Sequence, residues 1–192
     1  MQYIVIYLHG FLSSPQSHKA MQTLEFVKSH YPQLTLEIPS LGNYPKQAAA
    51  TIEQIIAKYP DKKLRFIGSS LGGFLATSMC EKYAGKAVLI NPAVRPFELL
   101  EGFLGEHVNP YTKETFLLEQ KHIAELKALD TPLENINSQY WLLLQTADET
   151  LDYRQAEHKY QGHKMEIEQG GDHSFQNFER FLPDIFRFLL QD

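Results

Sequence analysis

Cysteine is almost missing from this sequence: among 192 residues, only Cys80 carries a thiol. A lone thiol cannot close an intrachain disulfide, so the fold does not depend on an oxidising compartment. Cys80 falls in a segment of helical period and reads as a small buried apolar residue, not a nucleophile. Basic excess is missing too. The chain has 18 Lys and Arg against 23 Asp and Glu, a formal charge of −5, and no local basic run offsets it. Phosphate backbones are repelled by such a surface, which argues against nucleic acid as a partner. No apolar run approaches a membrane span. The opening "MQYIVIYLHG" has no basic leader before its short apolar stretch, so it reads as a strand and the cytoplasm is the expected location. No cluster of His, Cys and carboxylates stands at metal-ligand spacing. The glycines form neither G-x-G-x-x-G nor a P-loop with its lysine. No metal or organic cofactor is expected.

What is present is ordinary globular material, 43% hydrophobic and 21% charged, enough to bury one core over residues 1–192 as a single domain. Apolar runs of strand length alternate with segments of helical period. "YIVIYL" (3–8) is an unbroken β-branched and aromatic run, as expected of a strand buried on both faces. "LTLEI" (34–38), "KLRFIG" (63–68), "KAVLI" (86–90), "YWLLLQ" (140–145) and "KMEIE" (164–168) supply five more. Between them, residues 17–30, 46–59 and 71–84 repeat apolar side chains at helical spacing. A last helix is expected to carry Phe175, Phe178, Leu182, Ile185, Phe186 and Leu189. Strands and helices alternating over short connections imply an α/β fold: a doubly wound, mostly parallel sheet of about six strands.

One segment breaks that alternation. Residues 93–133 form an insertion after the fourth strand, longer than a crossover needs and rich in Phe and Leu. It reads as two or more helices, either a lid over a site or a packed excursion. Its apolar residues, among them Phe97, Leu100, Phe103, Leu104, Phe116 and Leu117, would line an acyl pocket or form the core of the insertion itself.

Chemistry concentrates at "GSSLG" (68–72), which fits Gly-x-Ser-x-Gly with Ser70 at its centre. A nucleophile on a sharp strand-to-helix turn needs tiny flanking residues, and the turn lifts its hydroxyl towards a helix N-terminus. Ser69 has the wrong offset. A serine also needs a base. Of the 8 histidines, His173 alone combines the loop after the last strand with the right chain order. The third member is expected after the fifth strand, in "TADETLD". Asp148 is favoured there, because Asp152 sits where the next helix begins and reads as its cap. The order Ser…Asp…His is the one α/β-hydrolases use. Acyl transfer further needs donors for an oxyanion. The N–H of Leu71 is one, and the loop "LHGFLSSP" offers Phe11, with Leu12 second. His9 would brace that loop.

Together "YLHGFLSSPQSHKA", "IGSSLGGFLA", "LLLQTADETLDYRQA" and "GGDHSF" resemble the YqiA-like small bacterial esterases of the α/β-hydrolase superfamily. The likeness covers nearly the whole chain. It implies a fold without the first two strands of larger superfamily members, with the nucleophile on Ser70, the acid on Asp148 and the base on His173. It also implies hydrolysis of small-molecule carboxylic esters, including acyl-CoA thioesters. Two other readings stay open: an apolar-ligand-binding protein on a hydrolase scaffold, and a serine hydrolase acting on amide or carbon–carbon bonds. Covalent labelling separates the first from catalysis; sequence does not separate the second.

Overall fold

In a computed structural model that describes residues 2–191, the six expected strands form one sheet. They are β1 (Tyr3–Leu8), β2 (Thr35–Glu37), β3 (Lys63–Ser69) and β4 (Lys86–Ile90), then β7 (Gln139–Gln145) and β8 (Lys164–Glu168). Their order is β2-β1-β3-β4-β7-β8, and every neighbouring pair is parallel. The unbroken apolar character of β1 follows from this layout. Successive side chains point to opposite faces, and helices cover both. Ile4, Ile6 and Leu8 join one core, and Tyr3, Val5 and Tyr7 join the other.

The helices divide accordingly. α1 (His18–His30) and α7 (Leu182–Leu190) pack on the Tyr3 face. α2 (Pro45–Lys58), α3 (Leu71–Tyr83) and α6 (Tyr153–Lys159) contribute to the other core, as do α4 (Pro96–Glu101) and α5 (Gln120–Leu129) of the inserted segment. The C-terminal helix is shorter than its periodicity predicts. Phe175 and Asn177 have positive φ (61° and 57°), and Phe178–Phe181 form one turn of 3-10 helix. Pro183 then stands in the first turn of α7, where its missing N–H costs nothing. Phe175 and Phe178 are still buried with the residues of α7, but from outside it.

The insertion departs from the helical expectation. Between α4 and α5 runs an antiparallel hairpin of β5 (Gly105–Val108) and β6 (Thr115–Leu118). His107, Phe116 and Leu118 turn inward, while Val108 and Leu117 face solvent. Phe116 meets Phe11 edge-on at 5.9 Å and Tyr44 at 6.0 Å. Asn109, buried at the end of β5, donates through Nδ2 to the Ser13 carbonyl (3.3 Å) and to Asn43 Oδ1 (3.3 Å). The hairpin is thereby fastened to the loop after β1. Among the described residues, no helix is long and apolar enough to cross a membrane.

Chain order and sheet order reverse between β1 and β3: β1 leads outward to β2, and β3 leads the other way to β4. A crevice forms at the carboxyl ends of the strands flanking such a reversal.

Candidate active site

Ser70 sits at that crevice, on the turn from β3 into α3. Its backbone has φ 54° and ψ −121°, a conformation that costs a non-glycine residue energy and persists only where its surroundings impose it. They do so here. The Ser70 N–H donates to the Ile90 carbonyl at 3.0 Å, and its own carbonyl accepts from Ala93 (3.1 Å) and Gly73 (2.9 Å). The glycine requirement is steric. A β-carbon on Gly68 would lie 2.4 Å from the Gly72 carbonyl oxygen, and one on Gly72 would lie 2.0 Å from that of Leu8. Strand, helix and the neighbouring β1 approach too closely for any side chain at either position.

His173 arrives from the loop after β8 and Asp148 from the loop after β7. His173 Nε2 lies 3.0 Å from Ser70 Oγ, and His173 Nδ1 lies 3.0 and 2.9 Å from the two Asp148 carboxylate oxygens. A carboxylate only accepts, so Nδ1 carries the ring proton and Nε2 is left to accept from the serine hydroxyl. Asp148 Oδ1 also accepts from the N–H groups of Thr150 (2.9 Å) and Leu151 (2.8 Å), which fixes the carboxylate. The Asp148 side chain is 2% exposed and that of His173 24%, so the carboxylate is sealed while the imidazole meets solvent. Asp152 stands apart as the cap of α6, accepting from the Arg154 N–H at 3.1 Å.

The loop after β1 runs alongside. A β-carbon on Gly10 would come within 3.3 Å of Ser70 Cβ, tighter than ordinary contact, so this loop passes the nucleophile with little room for a side chain. Among the described residues, the N–H groups of Phe11 and Leu71 make no hydrogen bond within the protein, and Leu71 begins α3, where no preceding turn offers an acceptor. His9 braces the loop. Its Nδ1 donates to the Gly10 carbonyl (3.0 Å), and its Nε2 accepts from the Leu41 N–H (3.3 Å). Burial holds its pKa below the ordinary imidazole value, against a smaller upward effect of the Gly10 bond.

Sequence reasoning missed the residues that hold the His173 loop. Gln145, 3% exposed, uses all four valences of its amide there. Its Oε1 accepts from Asp172 N–H (3.2 Å) and Gln176 N–H (2.8 Å), and its Nε2 donates to the Gln176 carbonyl (3.1 Å) and Glu168 (3.0 Å). Asn91 donates to the carbonyls of Asp172 (3.0 Å) and His173 (3.3 Å), and Glu149 accepts from the His173 N–H at 3.0 Å. Lys19 Nζ donates to the Ser174 carbonyl at 2.6 Å. A polar amide closing the apolar run "LLLQ" was the available signal for Gln145, and Asn91 directly after β4 was that for the second amide. His107, within the segment expected to be helical, is on β5. Of the inserted apolar residues, Phe97, Leu100 and Phe116 are buried, while Phe103, Leu104 and Leu117 are largely exposed.

The sheet and its strand-end crevice define an α/β-hydrolase scaffold, and similar solved structures include esterases and lipases. Est1E from Butyrivibrio proteoclasticus superposes with a TM-score of 0.76 at 14% identity, over 98% of this chain and 87% of that one. The monoacylglycerol lipase of Paleococcus ferrophilus gives 0.70 at 14% identity, over 97% and 93%. Within that class the chain belongs to UPF0227, described as an uncharacterised protein family, whose model matches residues 4–190. A UPF0227 protein of Shewanella sp. (strain MR-4) is 26% identical over 193 residues, 97% of this chain and 99% of that protein.

Proposed function

We propose that this protein is a serine hydrolase cleaving carboxylic esters, with acyl thioesters within its chemical reach, through an acyl-enzyme on Ser70. The observation that carries the reading is the hydrogen-bonded line Ser70 Oγ–His173–Asp148, at 3.0 and 2.9 Å, on a strained turn that frees the hydroxyl. Ser70 Oγ attacks the carbonyl carbon as His173 Nε2 takes its proton. The carbonyl oxygen becomes the oxyanion, accepting from the N–H groups of Phe11 and Leu71. As the carbon–oxygen or carbon–sulfur bond breaks, His173 returns that proton to the leaving alcohol or thiol. Water repeats the sequence on the acyl-enzyme, releasing the acid and free Ser70. Asp148 holds the imidazole in the required tautomer and stabilises its cationic form.

The test needs no guess about substrate. Incubation with a fluorophosphonate probe and peptide mapping should find modification at Ser70, abolished in Ser70→Ala and in His173→Ala. Folded wild-type protein that stays unmodified, or is modified elsewhere, overturns the proposal.

A further inference from the structure

We infer that Lys19 is a positioning residue for the catalytic base: it clamps the His173 loop from α1, and its charge offsets that of Asp172 beside the imidazole. This rests on the serine-ester reading above. The loop needs an outside hold, because Phe175, two residues past the base, has φ 61°, a conformation that its surroundings must impose. Several of the bonds that do so come from one side. Asn91 follows β4, Gln145 closes β7, and Thr146 and Glu149 stand just beyond it. Lys19 reaches the loop from another direction. It stands in the first turn of α1, the helix that follows the loop carrying Phe11. Its Nζ donates to the Ser174 carbonyl at 2.6 Å, across 155 positions of the chain. The proposed oxyanion loop and the base loop must meet one carbonyl together, and this bond ties the helix behind the first to the second.

Charge supplies the other half of the argument. Facing the imidazole are Asp148 on Nδ1 and Glu149 on the His173 N–H, both from the loop after β7, and Asp172 from its own loop. β3 brings Ser70, the loop after β4 brings Asn91, and the loop after β1 brings His9, whose burial favours the neutral ring. Farther back, Glu168 is paired with Arg180. α1 brings His18, which is exposed, and Lys19, which is half-buried. Burial pulls the Lys19 pKa below its ordinary 10.5, and the Asp172 carboxylate acts against that, as two opposite charges in reach of each other do.

Asp172 is the group that needs the cation. Its Oδ2 accepts from Gln176 Nε2 at 2.9 Å, while its Oδ1 is buried and accepts no hydrogen bond within the protein. A carboxylate without compensation there would favour imidazolium, and the base would stay protonated, and idle, to higher pH. The Lys19 ammonium opposes this through space while it holds the backbone one residue past the base.

Three substitutions separate the clamp from the charge. Lys19→Met removes both, Lys19→Arg keeps a donor and a cation, and Asp172→Asn removes the opposing charge but leaves an acceptor for Gln176. With p-nitrophenyl acetate, the acid limb of kcat/KM against pH should move up by about half a unit or more in Lys19→Met. Lys19→Arg should keep it near the wild-type position, and Asp172→Asn should move it down. Combining Lys19→Met with Asp172→Asn should return it towards wild type, because the two charges then vanish together. The lost bond to Ser174 should appear separately in Lys19→Met, as a plateau kcat lowered by up to about 10² with KM nearly unchanged. A limb that stays in place in folded Lys19→Met, or that the double variant does not restore, overturns the proposal. So does a wild-type plateau in Lys19→Met. Should Lys19→Met fail to fold, Asp172→Asn decides alone, and a limb that does not move down overturns it. Fluorophosphonate labelling keeps the two hypotheses apart. Ser70 labelled with an unmoved limb removes only the role of Lys19, whereas wild-type protein that neither labels nor cleaves the ester removes the hydrolase reading as well.

Discussion

Ser70 is held in an unfavourable backbone conformation by neighbours on three elements, and the residues that act with it differ in how they are fixed. Asp148 and Asp152 are four positions apart, yet only Asp148 faces the imidazole; Asp152 serves the α6 N-terminus. Asp148→Asn should lower kcat by about 10⁴, because an amide that must satisfy the Thr150 and Leu151 N–H groups through its oxygen cannot also hold Nδ1–H. Asp152→Asn should change kcat little, since asparagine caps a helix as well as aspartate. Steady-state rates on one ester decide it, and a larger loss in Asp152→Asn reverses the assignment. Gln145 touches no reacting atom and acts as a positioning residue. Gln145→Glu keeps the acceptor for Asp172 and Gln176 but loses the donor and faces the Glu168 carboxylate. It should lower kcat by up to about 10², the cost of a misplaced catalytic group, and leave KM nearly unchanged. A rise in KM alone would show that the loop shapes binding and not the base. Ser70, Asp148 and His173 were legible because a local motif and chain order place them. Gln145 and Asn91 were not, because their partners lie 23 to 82 residues away.

At the scale of elements, legibility follows burial. β1 and β4 have the same bounds in sequence and structure, since runs buried between two helical layers leave no periodic ambiguity; β8, a part-exposed edge strand, keeps its bounds through the alternation of Met165 and Ile167 with charged residues. The hairpin β5–β6 escaped notice because each strand has four residues, too few for alternation to stand out from a helical spacing of Phe and Leu. Its anchor is Asn109, whose Oδ1 caps the turn by accepting from Tyr111 N–H (2.9 Å) and Thr112 N–H (3.2 Å) while Nδ2 reaches the β1 loop. Asn109→Ala deletes both roles and leaves part-buried backbone groups unpaired, at about 1–3 kcal/mol each where water does not replace the partner. Amide hydrogen exchange should accelerate across 105–118 and also across 11–15, the loop that Asn109 ties down. Faster exchange confined to the hairpin would mean the two segments are not coupled.

Across the whole molecule, acidity is the condition that tests the packing around the site. His9 and His163 lie at different places in the fold, and burial is the main reason each has a pKa below the ordinary value of 6.5, with bonding to the Gly10 carbonyl and the Glu81 charge acting the other way. The folded state therefore binds fewer protons than the unfolded state once pH falls below about 6.5. Stability from the neutral imidazoles is complete above that pH and declines as pH drops towards the folded values. Urea midpoints measured from pH 7.5 to 5.0 should fall over the lower part of that range. His9→Gln, which offers a donor and an acceptor without a titrating proton, should flatten the decline, and adding His163→Gln should flatten it further. Because His9 joins the loop carrying Phe11 to Leu41, its protonation also releases one wall of the crevice. Fluorophosphonate labelling of Ser70 in wild type should then slow at low pH more steeply than in His9→Gln. A decline in stability of equal slope in wild type and both variants would assign the acid sensitivity to carboxylates and leave the His9 brace without energetic weight.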